Sequence, residues 1–179
     1  MPIKMEKEHY VKRSVLILVF LCLEATWARS ETVMLYVRDM TTDEDSAEAS
    51  ISFFMALEDG VMDQFFESGH IIFDSGLQYV TVEEERFPER TAVRMAKSGG
   101  ARVLLEIDMT YPPGPRDHTV LPLAARFTVS DILSGDSLHQ GTISFSSIVE
   151  SEKGNPKSDE ELCTIWGKTI AGEALRYLP

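Results

Sequence analysis

The chain has 179 residues, with 29 acidic against 17 basic side chains and a net charge of −12. An apolar fraction of 44% excludes a disordered chain, and two cysteines cannot build a disulfide scaffold or a four-Cys zinc site. The acidity argues against a nucleic-acid partner, whose protein footprint is basic, and leaves an acidic globular protein about one domain long.

Lys12 and Arg13 stand directly before the apolar run from Ser14 to Leu23, which Glu24 ends. About ten residues are too few to span a bilayer, which takes roughly 20, but suit the apolar centre of a secretory signal. Small residues follow at peptidase spacing. Thr26 and Ala28 suit cleavage after Ala28, and Ala28 and Ser30 suit cleavage after Ser30. The pattern predicts a signal peptide over 1–28 and a single α+β domain over 29–179, periplasmic or otherwise exported, with no transmembrane helix. Cys22 invites comparison with the bacterial lipobox, but Leu21 is bulkier than that motif takes before its Cys, so no lipid anchor is expected there. Cleavage would remove four positive charges (Lys4, Lys7, Lys12, Arg13) and three negative ones (Glu6, Glu8, Glu24), deepening the net charge from −12 to −13. One thiol, Cys163, would remain. It can form no internal disulfide, so the core must hold the domain. It lies in a helical apolar pattern and reads as a buried, inert thiol.

Val33 to Arg38 is mostly apolar and predicts a first strand buried on both faces. Asp45 and Glu48 are spaced to start a helix that runs to Glu67. Its expected apolar stripe is Ile51, Phe54, Met55, Leu57, Val61, Met62, Phe65 and Phe66, with Glu58, Asp59, Asp63 and Glu67 largely on the other side. Ser68-Gly69 ends it. His70 to Asp74 reads as a second strand, and Pro88 opens a second helix ending at Gly99-Gly100. Arg102 to Tyr111 reads as a third strand, with Val103, Leu105, Ile107 and Met109 on one face. Four prolines between Pro112 and Pro122 mark a loop. Two alternating runs follow, Ala124–Leu133 and Leu138–Val149, joined as a hairpin through Ser134-Gly135-Asp136-Ser137. Ser158 and Glu161 have capping-box spacing before a last helix. The order β-α-β-α-β-β-β-α predicts an α+β, two-layer helix-on-sheet sandwich.

Gly135-Asp136-Ser137-Leu138 matches the four-letter signature of the GDSL esterases and lipases. That chemistry needs a downstream Asp-x-x-His to take the serine proton, and no His follows His139. The four residues fall where a hairpin turn is required, and read as that turn. No nucleotide-binding glycine loop or Gly-x-Ser-x-Gly elbow occurs. His70, His118 and His139 lack partners at metal-binding spacing. Asp43-Glu44-Asp45 lacks the Gly and distal Glu of a calcium loop, and Glu83-Glu84-Glu85 cannot converge from one helix. Asp39 and Asp74 end the first and second strands and could form an acid pair. No catalytic, cofactor or metal residue is assigned.

Four stretches resemble a periplasmic module with an anticodon-binding-domain-like fold. Val33–Asp39 looks like its opening strand ending in an acid. Ala56 to Gly69, followed by His70-Ile71-Ile72-Phe73, looks like its helix–Gly–strand unit. Ala96 to Leu105 looks like its Ala-x-x-x-Gly-Ala-Asp turn, with Arg102 in place of the usual Asp. Arg126–Asp131 with Ser134-Gly135 looks like its hairpin. The module is similar to the N-terminal domain of the Tol–Pal propeller protein and the periplasmic domain of the curli secretion channel. It also resembles the lipoprotein activators of penicillin-binding proteins and a flagellar-ring accessory protein. The resemblance spans about residues 33–149 and implies a non-catalytic accessory or protein-binding role at the bacterial cell envelope, with a protein partner. The competing expectation is a small envelope hydrolase or ligand-binding protein using Asp39, Asp74, His70 or His118.

Overall fold

The structure, a computed structural model, describes residues 30–39, 47–74, 88–113, 120–155 and 157–179, with backbone alone for 39, 47–50 and 88–90. The signal segment with Cys22, the acidic clusters at 43–45 and 83–85 with the first helix cap, and His118 lie outside the described residues. Strands are β1 (Thr32–Asp39), β2 (Ile71–Asp74), β3 (Val103–Thr110), β4 (Ala124–Asp131) and β5 (Ser137–Ser144). Helices are α1 (Ala47–Glu67), α2 (Pro88–Gly99), α3 (Phe145–Ser151) and α4 (Asp159–Ala174), with a 3₁₀ turn at Leu175–Tyr177. The five strands form one mixed sheet in the order β2-β1-β3-β4-β5. β1 runs parallel to β2 and β3, while β3–β4 and β4–β5 are antiparallel. The fold is the expected α+β, helix-on-sheet class.

β1 is an interior strand of the sheet, and both of its faces are apolar. Val33, Leu35 and Val37 pack into the main core with Val103, Leu105, Ile107 and Met109 of β3. Met34 and Tyr36 point to the reverse face, where Ala92 and Ala96 of α2 cover them together with Leu104. Main-core burial is shared by β4, α1 and α4, whose largest contributions are Phe127, Phe65 and Trp166.

α1 and α4 cross at a point where neither carries a side chain. A Cβ on Gly60 would lie 2.9 Å from the Thr164 carbonyl carbon and closer to its oxygen. A Cβ on Gly167 would lie 3.0 Å from Val61 N and closer to the Leu57 oxygen. The two backbones therefore touch. This contact rolls α1 away from the stripe read in the sequence. Phe53, Phe54, Leu57, Val61 and Phe65 are buried, but Met55 and Phe66 are 53% and 78% exposed. Glu58, expected outside, is only 8% exposed. Two packing partners, the sheet and α4, set the buried arc, and a single-helix pattern carries only their sum.

The second alternating run is not one strand. It stops at Ser144, which is extended (φ −76°, ψ 137°) and caps α3. Ser147 Oγ donates to Ser144 O at 2.6 Å. Phe145 and Ile148, three apart, are both buried, and the Phe145 ring meets Trp166 edge-on at 5.3 Å. That pair of apolar contacts favours helical over strand spacing at 145–149. α4 opens with the expected capping box. Ser158 Oγ accepts from Glu161 N at 3.2 Å, and Glu161 Oε2 accepts from Ser158 N at 2.8 Å.

The motif at 135–138 lies at the hairpin connection, with Gly135 and Asp136 between the strands and Ser137 and Leu138 opening β5. Gly135 has φ +78°, and its N–H donates to Asp131 O at 2.9 Å. Asp131 Oδ1 accepts from Leu133 N and Ser134 N, at 2.7 and 3.1 Å. Its other oxygen takes the Arg102 guanidinium at 3.0 Å. The Arg that departs from the resembled pattern is thus tied to the Asp that holds the hairpin. These hydrogen bonds, led by the Ser134 N–H and then Arg102, hold the Asp131 carboxyl below its ordinary range.

Candidate functional site

The residues singled out in the sequence do not assemble around one centre. His70 Nδ1 accepts the Glu31 N–H at 3.2 Å, and its ring meets Phe65 edge-on at 6.1 Å. It stands just before the start of β2, whereas Asp74 stands at the other end of that strand. Register pairs Asp74 with Leu35 and carries Asp39 on to Met109. Asp74 is therefore four residues short of Asp39, about 13 Å along the sheet at roughly 3.3 Å per residue. The expected acid pair is not built, because the register keeps the two positions apart. Among the described residues, no group of three or more His, Cys, Asp and Glu side chains is placed to hold a metal ion.

Asp74 has a different acidic neighbour. Glu58 reaches toward it from α1, and burial, then the Asp74 charge, then Asp59, push the Glu58 carboxyl up to about 7. Cys163 is also perturbed. Burial, with Asp159 and Glu160 adding to it, raises its thiol to about 12, which leaves it protonated.

Three strands contribute an ion network on the reverse face. Arg38 Nε donates to Asp108 Oδ1 at 2.6 Å, and Arg126 donates to Asp108 Oδ2 at 2.8 Å. Arg38 also lies 3.7 Å from Glu106. Arg38, Asp108 and Arg126 are successive partners in the strand register, so the network is a row across β1, β3 and β4. Both Asp108 oxygens are occupied, which is what a nearly buried carboxylate requires.

A concavity lies between β5 and the end of α4. It is a groove of about 470 Å³ lined by Phe127, His139, Gly141, Ile143, Gly172 and Glu173 among others. Gly141 is needed there because a Cβ would fall 2.6 Å from Phe127 Cζ. Gly172 opposite leaves open space, with nothing within 4 Å of a Cβ. His139 stacks on Tyr177 at 3.7 Å with the planes 2° apart. Glu173 accepts from Arg176 at 2.7 Å and from Tyr177 Oη at 3.4 Å. The groove thus combines an aromatic floor with a mutually neutralised ion pair, and its chemistry is stacking and hydrogen bonding. His139 read as a lone histidine in the sequence. Its partners lie 12 residues before it and 38 after, on elements brought together only by folding.

No family model matches the chain, and no curated protein matches it. Solved structures with a similar fold include a PelC dodecamer from Paraburkholderia phytofirmans, at 14% identity and a TM-score of 0.40 over 80% of this chain and 86% of that one. Lipoprotein GNA1162 from Neisseria meningitidis is similar at 13% identity and 0.40, over 81% and 99% of the two chains. TolB from Acinetobacter baumannii is similar at 7% and 0.41, over 85% of this chain and 30% of that one. Likeness of this degree assigns no site and no partner. Among the described residues no helix is long and apolar enough to cross a membrane.

Proposed function

We propose that the chain is an exported, non-catalytic accessory or protein-binding domain of the bacterial cell envelope. In this reading residues 29–179 act after the leader is removed behind Ala28 or Ser30. The observation that carries it is the leader pattern itself: Lys12-Arg13, about ten apolar residues, then small residues at peptidase spacing. Further support comes from how the polar groups are used. Asp108, Asp131 and Glu161 hold strands, a turn and a helix cap, and His70 receives a backbone N–H. Among the described residues the sheet also has two edge strands, β2 and β5, whose outer sides could receive another chain.

The test is expression of the full chain with a C-terminal tag in a Gram-negative host, followed by fractionation and intact mass. The expected product is periplasmic and lacks residues 1–28 or 1–30. A cytosolic product of full mass overturns the export reading. Crosslinking in the envelope fraction then tests for a partner, and recovery of the chain without any crosslinked protein overturns the binding role.

A further inference from the structure

We propose that two copies of this chain pair through the free edge of β5, in an antiparallel seam across a two-fold axis. β5 closes one side of the sheet and, among the described residues, pairs with β4 alone. Its outer N–H and C=O groups form a template for another strand. Proteins ordinarily blunt such edges with charge, proline or shortness. β5 has eight residues, with no charged side chain and no proline.

Charge selects this edge for self-association. The chain carries −12, so two copies meet at least cost where carboxylates are few. At the opposite edge, β2 has four residues and carries Asp74 next to buried Glu58. Self-pairing there would place two Asp74 and two Glu58 side chains along a seam of only four residues. At β5 the flanking acid, Glu173, is already paired with Arg176. Asp136 precedes the strand, so an antiparallel arrangement sends its two copies to opposite ends of the seam.

A two-fold axis perpendicular to the sheet keeps both cores on the same side. Gln140 and Thr142, both exposed, then meet their counterparts on the reverse face. His139, Gly141 and Ile143, which line the groove, stand on the α4 side of the seam. Eight residues give a seam of about 27 Å at roughly 3.4 Å per residue. A seam that short gives a concentration-dependent pair, below the size of an obligate interface. The pairing involves no residue of the leader and is independent of export.

Light scattering on a dilution series of the purified protein tests it. The expected particle has twice the chain mass at high concentration and the single mass on dilution. Thr142→Lys and Gln140→Lys each place like charges across the seam and shift the dissociation midpoint upward by about tenfold or more. Ser98→Lys, on α2, leaves the midpoint unchanged. Single mass at the highest soluble concentration overturns the proposal, as does a doubled mass that neither edge variant moves. Hydrogen exchange of the unmodified protein decides the matter even if both variants fail to fold. The outer β5 amides slow with concentration if a second copy covers them, and concentration-independent exchange overturns the pairing.

Discussion

The close crossing of α1 and α4 makes a sharp prediction for Gly60→Ala. The new methyl would sit 2.9 Å from the Thr164 carbonyl carbon and closer to the oxygen, where ordinary contact begins at about 3.5 Å. The obstacle is backbone, so no rotamer change relieves it. The helices must part by about an ångström, and a gap of that size forfeits a quarter to a half of each dispersion contact. Those contacts join Leu57, Val61 and Phe65 to Cys163, Trp166 and Ile170 in the main core. Overpacking of this kind costs about 1–3 kcal/mol, and a rigid obstacle belongs at the upper end. Alanine returns about 1 kcal/mol through helix propensity. The net loss is about 2 kcal/mol, or a melting temperature lower by about 4–8 °C for a domain of this size. Gly172→Ala is the internal control. It lies in α4, the other helix of the crossing, with nothing within 4 Å, so alanine should stabilise by about 1 kcal/mol through propensity alone. Thermal unfolding followed by circular dichroism reads both. A Gly60→Ala protein as stable as the parent would refute the backbone contact and the helix roll derived from it.

Glu58 titrates at a pH where carboxylates are ordinarily ionised. Its folded value is raised, so the stability it contributes is complete below its ordinary 4.5 and is lost as pH rises through about 7. Denaturant unfolding at several pH values should show that decline, and Glu58→Gln should flatten it; an unchanged profile would place the titration elsewhere. Ser158→Ala removes one half of the capping box and should cost about 1 kcal/mol, measured by urea unfolding, with an unchanged m-value. Cys163 should react with a thiol reagent only upon unfolding. Its rise from 9.0 to about 12 lowers the thiolate fraction about a thousandfold at neutral pH, so rapid labelling of the folded protein would contradict its burial.

Local chemistry made most elements legible. Alternating β3, the Gly135 turn and the Ser158–Glu161 cap each depend on residues a few positions apart, and each forms where the pattern puts it. The failures have a common cause. α3 was hidden because Phe145 and Ile148 are spaced for a helix only once Trp166 is there to receive them. The groove was hidden because its residues come from three separate segments, and Gly141 and Gly172 signal in sequence only flexibility. Asp39 and Asp74 ended neighbouring strands as expected, but strand length and register decide whether strand ends meet.

The opening arithmetic described an acidic chain with enough apolar surface for one core and too few cysteines to replace it. By itself the sequence determined that composition, the succession of strands and helices apart from α3, most caps and turns, and the leader pattern. These are properties of nearest neighbours and of periodicity. Only the tertiary structure decided which arc of α1 is buried, which acid is desolvated, and which strand edges stay open. The acidity is unevenly distributed as a result: Glu58, Asp108 and Asp131 are buried, and β5 carries no acid. Such outcomes depend on what stands across the gap from a residue, and folding, not adjacency in the chain, puts it there.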